Sequence, residues 1–157
     1  MKESLHTSEK TYDGFSACFR QWRAIETHCS FLHGYSISFE VVFGCYHLDE
    51  RNWVFDFGGM KRAKTLIDGM LPEQWMKFMF DHTVLVAKDD PEIEKFRELS
   101  KNKVIQLREL ENVGCEKFAQ YFYEKLDKFI RTETNNRCFI VSVKCKEHEK
   151  NSATYNP

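Results

Sequence analysis

The sequence lacks a long hydrophobic run and an excess of charge of either sign. No window reaches the roughly 18 consecutive apolar residues of a membrane span. Residues 1–4 are polar and have no signal-peptide core, so we expect a cytoplasmic protein. The 23 Lys and Arg nearly balance the 24 Asp and Glu, for a formal net charge of −1. This balance gives no broad basic surface, so neither nucleic acid nor a membrane is an expected partner.

Proline and glycine are also scarce, with three and seven residues in the chain of 157. They form no flexible linker and the sequence has no internal repeat, so we expect one domain over residues 1–157. The six cysteines include no Cys-x-x-Cys pair, and the chain is long enough to fold on a hydrophobic core. We therefore expect reduced thiols, most of them buried as small apolar side chains.

Alternating apolar and polar residues predict three strands. They lie over residues 12–20, with Phe15, Ala17 and Phe19 on one face; over 33–43; and over 139–145. A further short strand is expected over residues 104–107. Tyr35 lies on the apolar face of the second strand, opposite Gly34 and Ser36.

Helical spacing of apolar residues marks the other elements. Asp56 is expected to cap a helix running through Met60 to Met70, and Pro72 to begin another. A short helix is expected after Pro91, and a long amphipathic helix after Gly114. Strands and helices in this order predict an α+β domain with helices on one face of a sheet.

Three groups of polar residues are candidates for chemistry. Cys29, between two histidines just before a strand, is a candidate thiol, the alternative being a buried cysteine. Asp81-His82 could tune such a thiol as a relay, or form an exposed turn. Glu147 follows the apolar face of the third strand. It is either a carboxylate that binds two adjacent N–H groups of a ligand or the first residue of a solvated tail.

The ordered motifs along nearly the whole chain resemble the 6-pyruvoyltetrahydropterin synthase family, and especially its 6-carboxytetrahydropterin synthase branch. They are Phe15-Ser16-Ala17, Cys29-x-x-x-His33-Gly34, residues 53–57, Asp81-His82, Gly114-Cys115-Glu116, Glu147 and Ala153-x-Tyr155. Extra residues over 71–80 and 88–109 look like insertions.

The resemblance implies the tunnelling fold, in which a four-stranded antiparallel sheet carries two main helices on one face. Subunits of this fold join edge to edge into a barrel, usually as trimers stacked into hexamers, with active sites between subunits. Such closure also covers the exposed edges of a small sheet.

The resemblance also implies roles for individual residues. Cys29 would be the catalytic thiol, with Asp81 and His82 as its relay partners. Glu147 would anchor the pterin, and Glu116 would be a further pterin-side carboxylate. The implied substrate is 7,8-dihydroneopterin triphosphate, and the implied reaction is that of a lyase forming 6-carboxytetrahydropterin for queuosine-type deazapurines.

Zinc is the cofactor that the family implies, bound by three histidines. Here those positions are Phe19, His33 and Tyr35. Phenylalanine has no lone pair, and tyrosine must lose a proton before it ligates well. His33 alone cannot hold the metal, so we expect no stoichiometric zinc. His28 and Cys18 are near in sequence, although Cys18 lies on the opposite strand face from Phe19.

Without zinc, another group must act on the substrate oxygens. The hydroxyl of Tyr35 is a possible acid or base, the alternative being a packed strand aromatic. Two further functions therefore stay open: a metal-free pterin aldolase or isomerase, and a non-catalytic pterin-binding oligomer.

Overall fold

Six strands and three α-helices form the part of the chain that the structure, a computed structural model, describes, residues 3–157. Met1 and Lys2 of the polar start therefore lie outside the described residues. The strands are β1 (His6–Phe19), β2 (His33–Cys45), β3 (Thr83–Ala87), β4 (Leu107–Leu110), β5 (Cys138–Lys146) and β6 (Ser152–Tyr155). The helices are α1 (Pro72–Phe80), α2 (Ile93–Lys101) and α3 (Cys115–Glu133).

The strands form one sheet in the order β4-β3-β1-β2-β5-β6. β1, β2, β5 and β6 are antiparallel neighbours, as expected. The predicted apolar faces are confirmed, since Phe15, Ala17 and Phe19 of β1 are buried. β1 begins at His6 rather than at residue 12, because residues 6–12 continue the pairing with β2 beyond the region of clear alternation.

The α+β fold is confirmed, but the sheet has six strands rather than four. The segment after α1 adds β3 and β4 in parallel to the edge of β1, and the C-terminal segment adds β6 beside β5. All five residues of β3 are buried, as in parallel strands covered on both faces. The strand predicted over residues 104–107 instead lies at Leu107–Leu110, where it pairs with β3.

Helices α1 and α3 pack together on one face of the sheet. The rings of Phe39 on β2 and Phe122 on α3 stack with centroids 4.0 Å apart, and Trp75 of α1 contacts the same Phe122. α2 covers the opposite face, where Phe96 packs on Val84 and Val86. The expected helices on one face are thus α1 and α3, with α2 added on the other.

The helix predicted from Asp56 through Met70 is wrong. Asp56 does cap a turn, because its carboxylate accepts from the N–H of Gly59 at 3.0 Å, but only a 3₁₀ turn over Gly58–Arg62 follows. Paired glycines disfavour helix propagation. Asp68 and Gly69 then adopt positive φ, which breaks a right-handed helix.

The six cysteines are free thiols, and four of them are buried as expected. Within residues 3–157, no helix combines the length and the apolar character needed to span a membrane.

Candidate functional site

One end of the sheet brings together most of the residues singled out in the sequence. β1 and β5 end at the edge of the core where β2 and α3 begin. On the helix-bearing face, this end of the sheet holds four side chains: Phe19, Tyr35, Cys115 and Cys145. We call this region, together with the Cys29 turn and Glu147, the site end.

Cys29 lies in a single 3₁₀ turn, His28–Ser30, between β1 and β2. Thr27 caps the turn by accepting from the N–H of Cys29 at 3.2 Å. The carbonyl of Cys29 accepts from the N–H of Gln21 at 2.8 Å, which fixes the turn to the end of β1. Cys29 is exposed, so the alternative of a buried cysteine is wrong.

The start of α3 is fixed against the same point. Gln21 donates from its side-chain amide to the carbonyl of Val113 at 2.9 Å. Gly114 has φ +112°, and a Cβ there would lie 2.2 Å from the amide nitrogen of Gln21. The position therefore requires glycine, both for its backbone conformation and for the close approach of Gln21.

A buried ion pair holds the Cys29 loop from the other side. Arg20 donates two hydrogen bonds to the Asp90 carboxylate, from Nε at 2.8 Å and from Nη2 at 2.6 Å. The Asp90 side chain is only 1% exposed and that of Arg20 is 22% exposed. Although burial alone would raise the pKa of Asp90, the hydrogen bonds from Arg20 and from the N–H of Glu92 lower it below its ordinary value.

The three positions that the family resemblance assigns to zinc form an aromatic stack. The Phe19 and Tyr35 rings stack with their centroids 4.2 Å apart and an angle of 15° between their planes. The centroid of the His33 ring lies 4.5 Å from that of Tyr35. Phe19 is 1% exposed and also contacts Phe118 of α3 edge-on. This set offers one imidazole where zinc needs three protein ligands, so it does not fit the metal.

No other cluster of at least three His, Cys, Asp or Glu side chains suited to a metal occurs within residues 3–157. Cys18 faces the second small core beside Val84, away from Phe19. It therefore does not complete a ligand set around His33.

The hydroxyl of Tyr35 is protonated at neutral pH. Burial, followed by the negative charge of Glu147, raises the pKa of Tyr35 to about 12. A tyrosine of this kind is a hydrogen-bond donor at neutral pH and a poor base.

Glu147 directly follows β5 and is half-buried. Its N–H donates to the carbonyl of Asn151 at 3.1 Å, which closes the turn into β6. No ion pair involves Glu147 within the described part of the chain. Glu116 is exposed in the first turn of α3.

Asp81 and His82 lie between α1 and β3. The Asp81 carboxylate accepts from the N–H of Ser16 at 3.0 Å and lies 3.1 Å from Nδ1 of His82. The hydrogen bond from Ser16, assisted by that from His82, lowers the pKa of Asp81. The side chain of His82 is 76% exposed, so its other ring nitrogen is open to a ligand.

Within one chain the structure does not bring Cys29 to Asp81 and His82. Asp81 is hydrogen-bonded to Ser16, and Cys29 is hydrogen-bonded to Gln21. Ser16 and Gln21 are five residues apart in extended chain, which corresponds to about 16 Å. A relay between them requires a second copy of the chain.

The basic residues near the site are paired. Besides Arg20, Arg23 contacts Asp89 at 2.8 Å and Lys144 lies 3.4 Å from Glu40. The sequence alone does not indicate these partners. Arg20 and its partner are 70 residues apart in sequence, and Arg23 and its partner are 66 residues apart. A local sequence pattern cannot predict contacts over such separations.

Comparison with known proteins gives a match over most of the chain. The family model for 6-pyruvoyl tetrahydropterin synthase matches residues 9–157. A 6-carboxy-5,6,7,8-tetrahydropterin synthase from Rickettsia typhi is 27% identical over 120 residues, which cover 76% of this chain and 78% of that protein.

Two solved structures share the fold. An uncharacterized protein from Wolinella succinogenes aligns with a TM-score of 0.77 at 16% identity and covers 98% of both chains. The 6-pyruvoyl tetrahydropterin synthase of Caenorhabditis elegans aligns with a TM-score of 0.63 at 20% identity, covering 100% of this chain and 99% of its own.

Asp90→Ala should destabilise the protein by about 3–5 kcal/mol at neutral pH, because it leaves Arg20 partly buried without a counter-charge. Since the folded-state pKa of Asp90 is lowered, the pair stabilises the fold above the unfolded pKa. The difference from wild type should shrink as pH falls through the folded-state value. Urea unfolding at fixed protein concentration measures both effects.

Asp89→Ala is the matched control, because its partner Arg23 is 65% exposed. It should change the free energy of unfolding by about 1 kcal/mol or less. Equal losses for the two variants would contradict a structural role for the buried pair.

Phe19→His combined with Tyr35→His should create a zinc site, because the two replacements restore three imidazoles without altering which strand face they occupy. Elemental analysis after dialysis against zinc should find about one ion per chain in the double variant. Tyr35→His alone, with two imidazoles, is the control and should bind more weakly. Stoichiometric zinc in the unaltered protein would contradict the interpretation of the stack.

Proposed function

Because the chain belongs to the 6-pyruvoyl tetrahydropterin synthase family, we propose that it is a lyase acting on 7,8-dihydroneopterin triphosphate. The proposed product is 6-carboxytetrahydropterin, an intermediate for queuosine-type deazapurines. The named relative from Rickettsia typhi supports the carboxy-forming branch over the pyruvoyl-forming one.

The observation that carries this proposal is the grouping at the site end. The site end holds the exposed thiol of Cys29, the hydroxyl of Tyr35 and the carboxylate of Glu147. Within residues 3–157, this carboxylate has no ion-pair partner. In a region with only a structural role, such thiol, hydroxyl and carboxylate groups would be hydrogen-bonded to other groups of the protein.

Glu147 is proposed to hold the pterin ring. Its carboxylate accepts two parallel hydrogen bonds from the 2-amino group and the adjacent ring N–H, as carboxylates do with forked donors. Glu116, in the first turn of α3, would contact the same ring from the other side.

Cys29 is proposed to move protons on the substrate side chain, and Asp81 and His82 are proposed to assist it from a neighbouring subunit. Asp81 would hold Nδ1 of His82 as the donor, which leaves Nε2 free to take a proton. A homo-oligomer, a trimer or hexamer built by edge-to-edge pairing, would bring this pair to the thiol.

Tyr35 is proposed to act where relatives use a metal ligand. With a pKa of about 12 it donates its O–H to a side-chain oxygen of the substrate and does not abstract protons. The lost Lewis acid is thus replaced by a neutral hydrogen-bond donor at the same position.

The position of Tyr35 also favours a second candidate, a metal-free aldolase or isomerase on a related pterin. Incubation with dihydroneopterin triphosphate and with dihydroneopterin, followed by mass spectrometry, separates the two activities. Binding without any product would identify a pterin-binding protein instead.

Cys29→Ala and His82→Ala should each reduce turnover of dihydroneopterin triphosphate, because each removes one side of the relay. Co-expression of the two variants forms mixed oligomers. In about a quarter of their sites, a subunit with intact Cys29 should lie beside a neighbour with intact His82, so about a quarter of wild-type activity should return. A mixture as inactive as its components would contradict a site shared between subunits. His148→Ala, at an exposed histidine near the chain end, is the control and should leave turnover unchanged.

Glu147→Gln should weaken pterin binding by about 1.5–3 kcal/mol, the value of a hydrogen bond to a charged group. The loss should be the same for neopterin and for its triphosphate, since the anchor contacts the ring. Glu149→Gln makes the same chemical change at an exposed position two residues later. Calorimetric titration showing equal affinity for both variants would exclude the anchoring role.

A further inference from the structure

Two buried thiols lie in contact at the site end, and the proposed function uses neither. The Cys145 thiol donates to Sγ of Cys115 across 3.5 Å. Cys115 is the first residue of α3 and is 4% exposed, while Cys145 lies on β5 and is fully buried. The hydrogen bond to Cys115, together with burial, raises the pKa of Cys145 and keeps it protonated.

The pair lies between the two proposed pterin-side carboxylates. Glu116 follows Cys115 along α3, and Glu147 lies two residues after Cys145. After the hydrogen bond to Cys115 and burial, the charges of Glu147 and Glu116 also raise the pKa of Cys145. A shift of the α3 start towards β5 would therefore also change the separation of Glu116 and Glu147.

The geometry is close to that of a disulfide. A bond of about 2.05 Å requires the sulfurs to approach by about 1.5 Å, which side-chain rotation and a small shift of the α3 start could supply. The bond would join elements that are 30 residues apart in the chain. Closing such a loop restricts the unfolded chain and so raises thermal stability.

We propose that Cys115 and Cys145 are a redox modification site that forms a reversible disulfide in the presence of a peroxide. Cys115 sulfur attacks one peroxide oxygen and the O–O bond breaks; the thiol proton leaves with the second oxygen as water, and Cys115 becomes a sulfenic acid. Cys145 sulfur then attacks the sulfenic sulfur and water leaves. Two thiols thus lose two electrons and two protons while hydrogen peroxide becomes two waters, and a dithiol reverses the change.

The disulfide has a predicted effect on binding, which rests on the proposed function. Pulling the start of α3 towards β5 narrows the space between Glu116 and Glu147. Because misplacement of a binding group by about 1 Å is costly, neopterin should bind at least about tenfold more weakly to the oxidised protein.

The test uses full-length Cys29→Ala protein, so that the exposed thiol does not react. After treatment with hydrogen peroxide, alkylation and digestion, mass spectrometry should find a peptide linking Cys115 to Cys145, and dithiothreitol should remove it. The melting temperature should rise by about 5–10 °C on oxidation. Adding Cys145→Ser or, if that variant fails to fold, Cys115→Ser should abolish the link and the rise.

Adding Cys138→Ser is the matched control, because Cys138 is a buried thiol that bonds instead to the carbonyl of Val54. This variant should still form the link. Peroxide that leaves Cys115 and Cys145 unlinked, or that joins other cysteines, would overturn the proposal.

Neopterin titration separates the failure of this proposal from that of the function. A linked protein that binds neopterin as tightly as the reduced form would overturn the effect on binding. A protein that forms the link but binds no pterin in either state would overturn the proposed function and leave the modification site supported.

Discussion

The antiparallel register between β1 and β2 determines what the site end contains. This register places Phe19 opposite His33 and Ala17 opposite Tyr35. The Phe19 and Tyr35 rings therefore stack, with the tilted His33 ring beside them, at the three positions that the family resemblance assigns to zinc. A slip of one residue would turn every one of these side chains to the opposite face. Burial of the alternating apolar face against α1 and α3 prevents that slip, and so the hydrophobic core fixes the chemistry of the site.

Two residues at the end of β1 then hold the loops around the stack. Arg20 connects the sheet to Asp90 after β3, and Gln21 connects the Cys29 turn to the start of α3. The exposed thiol therefore lies on a short turn held at both ends, although the turn itself has no buried residue. Rigid support of this kind lets a loop residue keep a defined position beside Tyr35 and Glu147.

Periodicity predicted the elements that have one buried face, including β2, α3 and the faces of Phe19 and Tyr35. Periodicity did not predict strands that are buried on both faces, or contacts between residues far apart in sequence. β3 is buried throughout and shows no alternation, and β6 has no apolar pattern because it only extends an existing edge. The stripe from Met60 to Met70 has helical spacing, yet glycines and positive φ angles break it. The Arg20–Asp90 and Cys115–Cys145 contacts depend on chain folding and leave no local pattern.

We propose that the site end acts on a pterin with the aromatic stack and the Tyr35 hydroxyl in place of a zinc ion. The most direct test is turnover of dihydroneopterin triphosphate by protein treated with a chelator, with metal content measured on the same sample. We expect product to form at the same rate before and after treatment, without stoichiometric zinc. Activity that disappears with the chelator and returns when zinc is added would contradict this proposal.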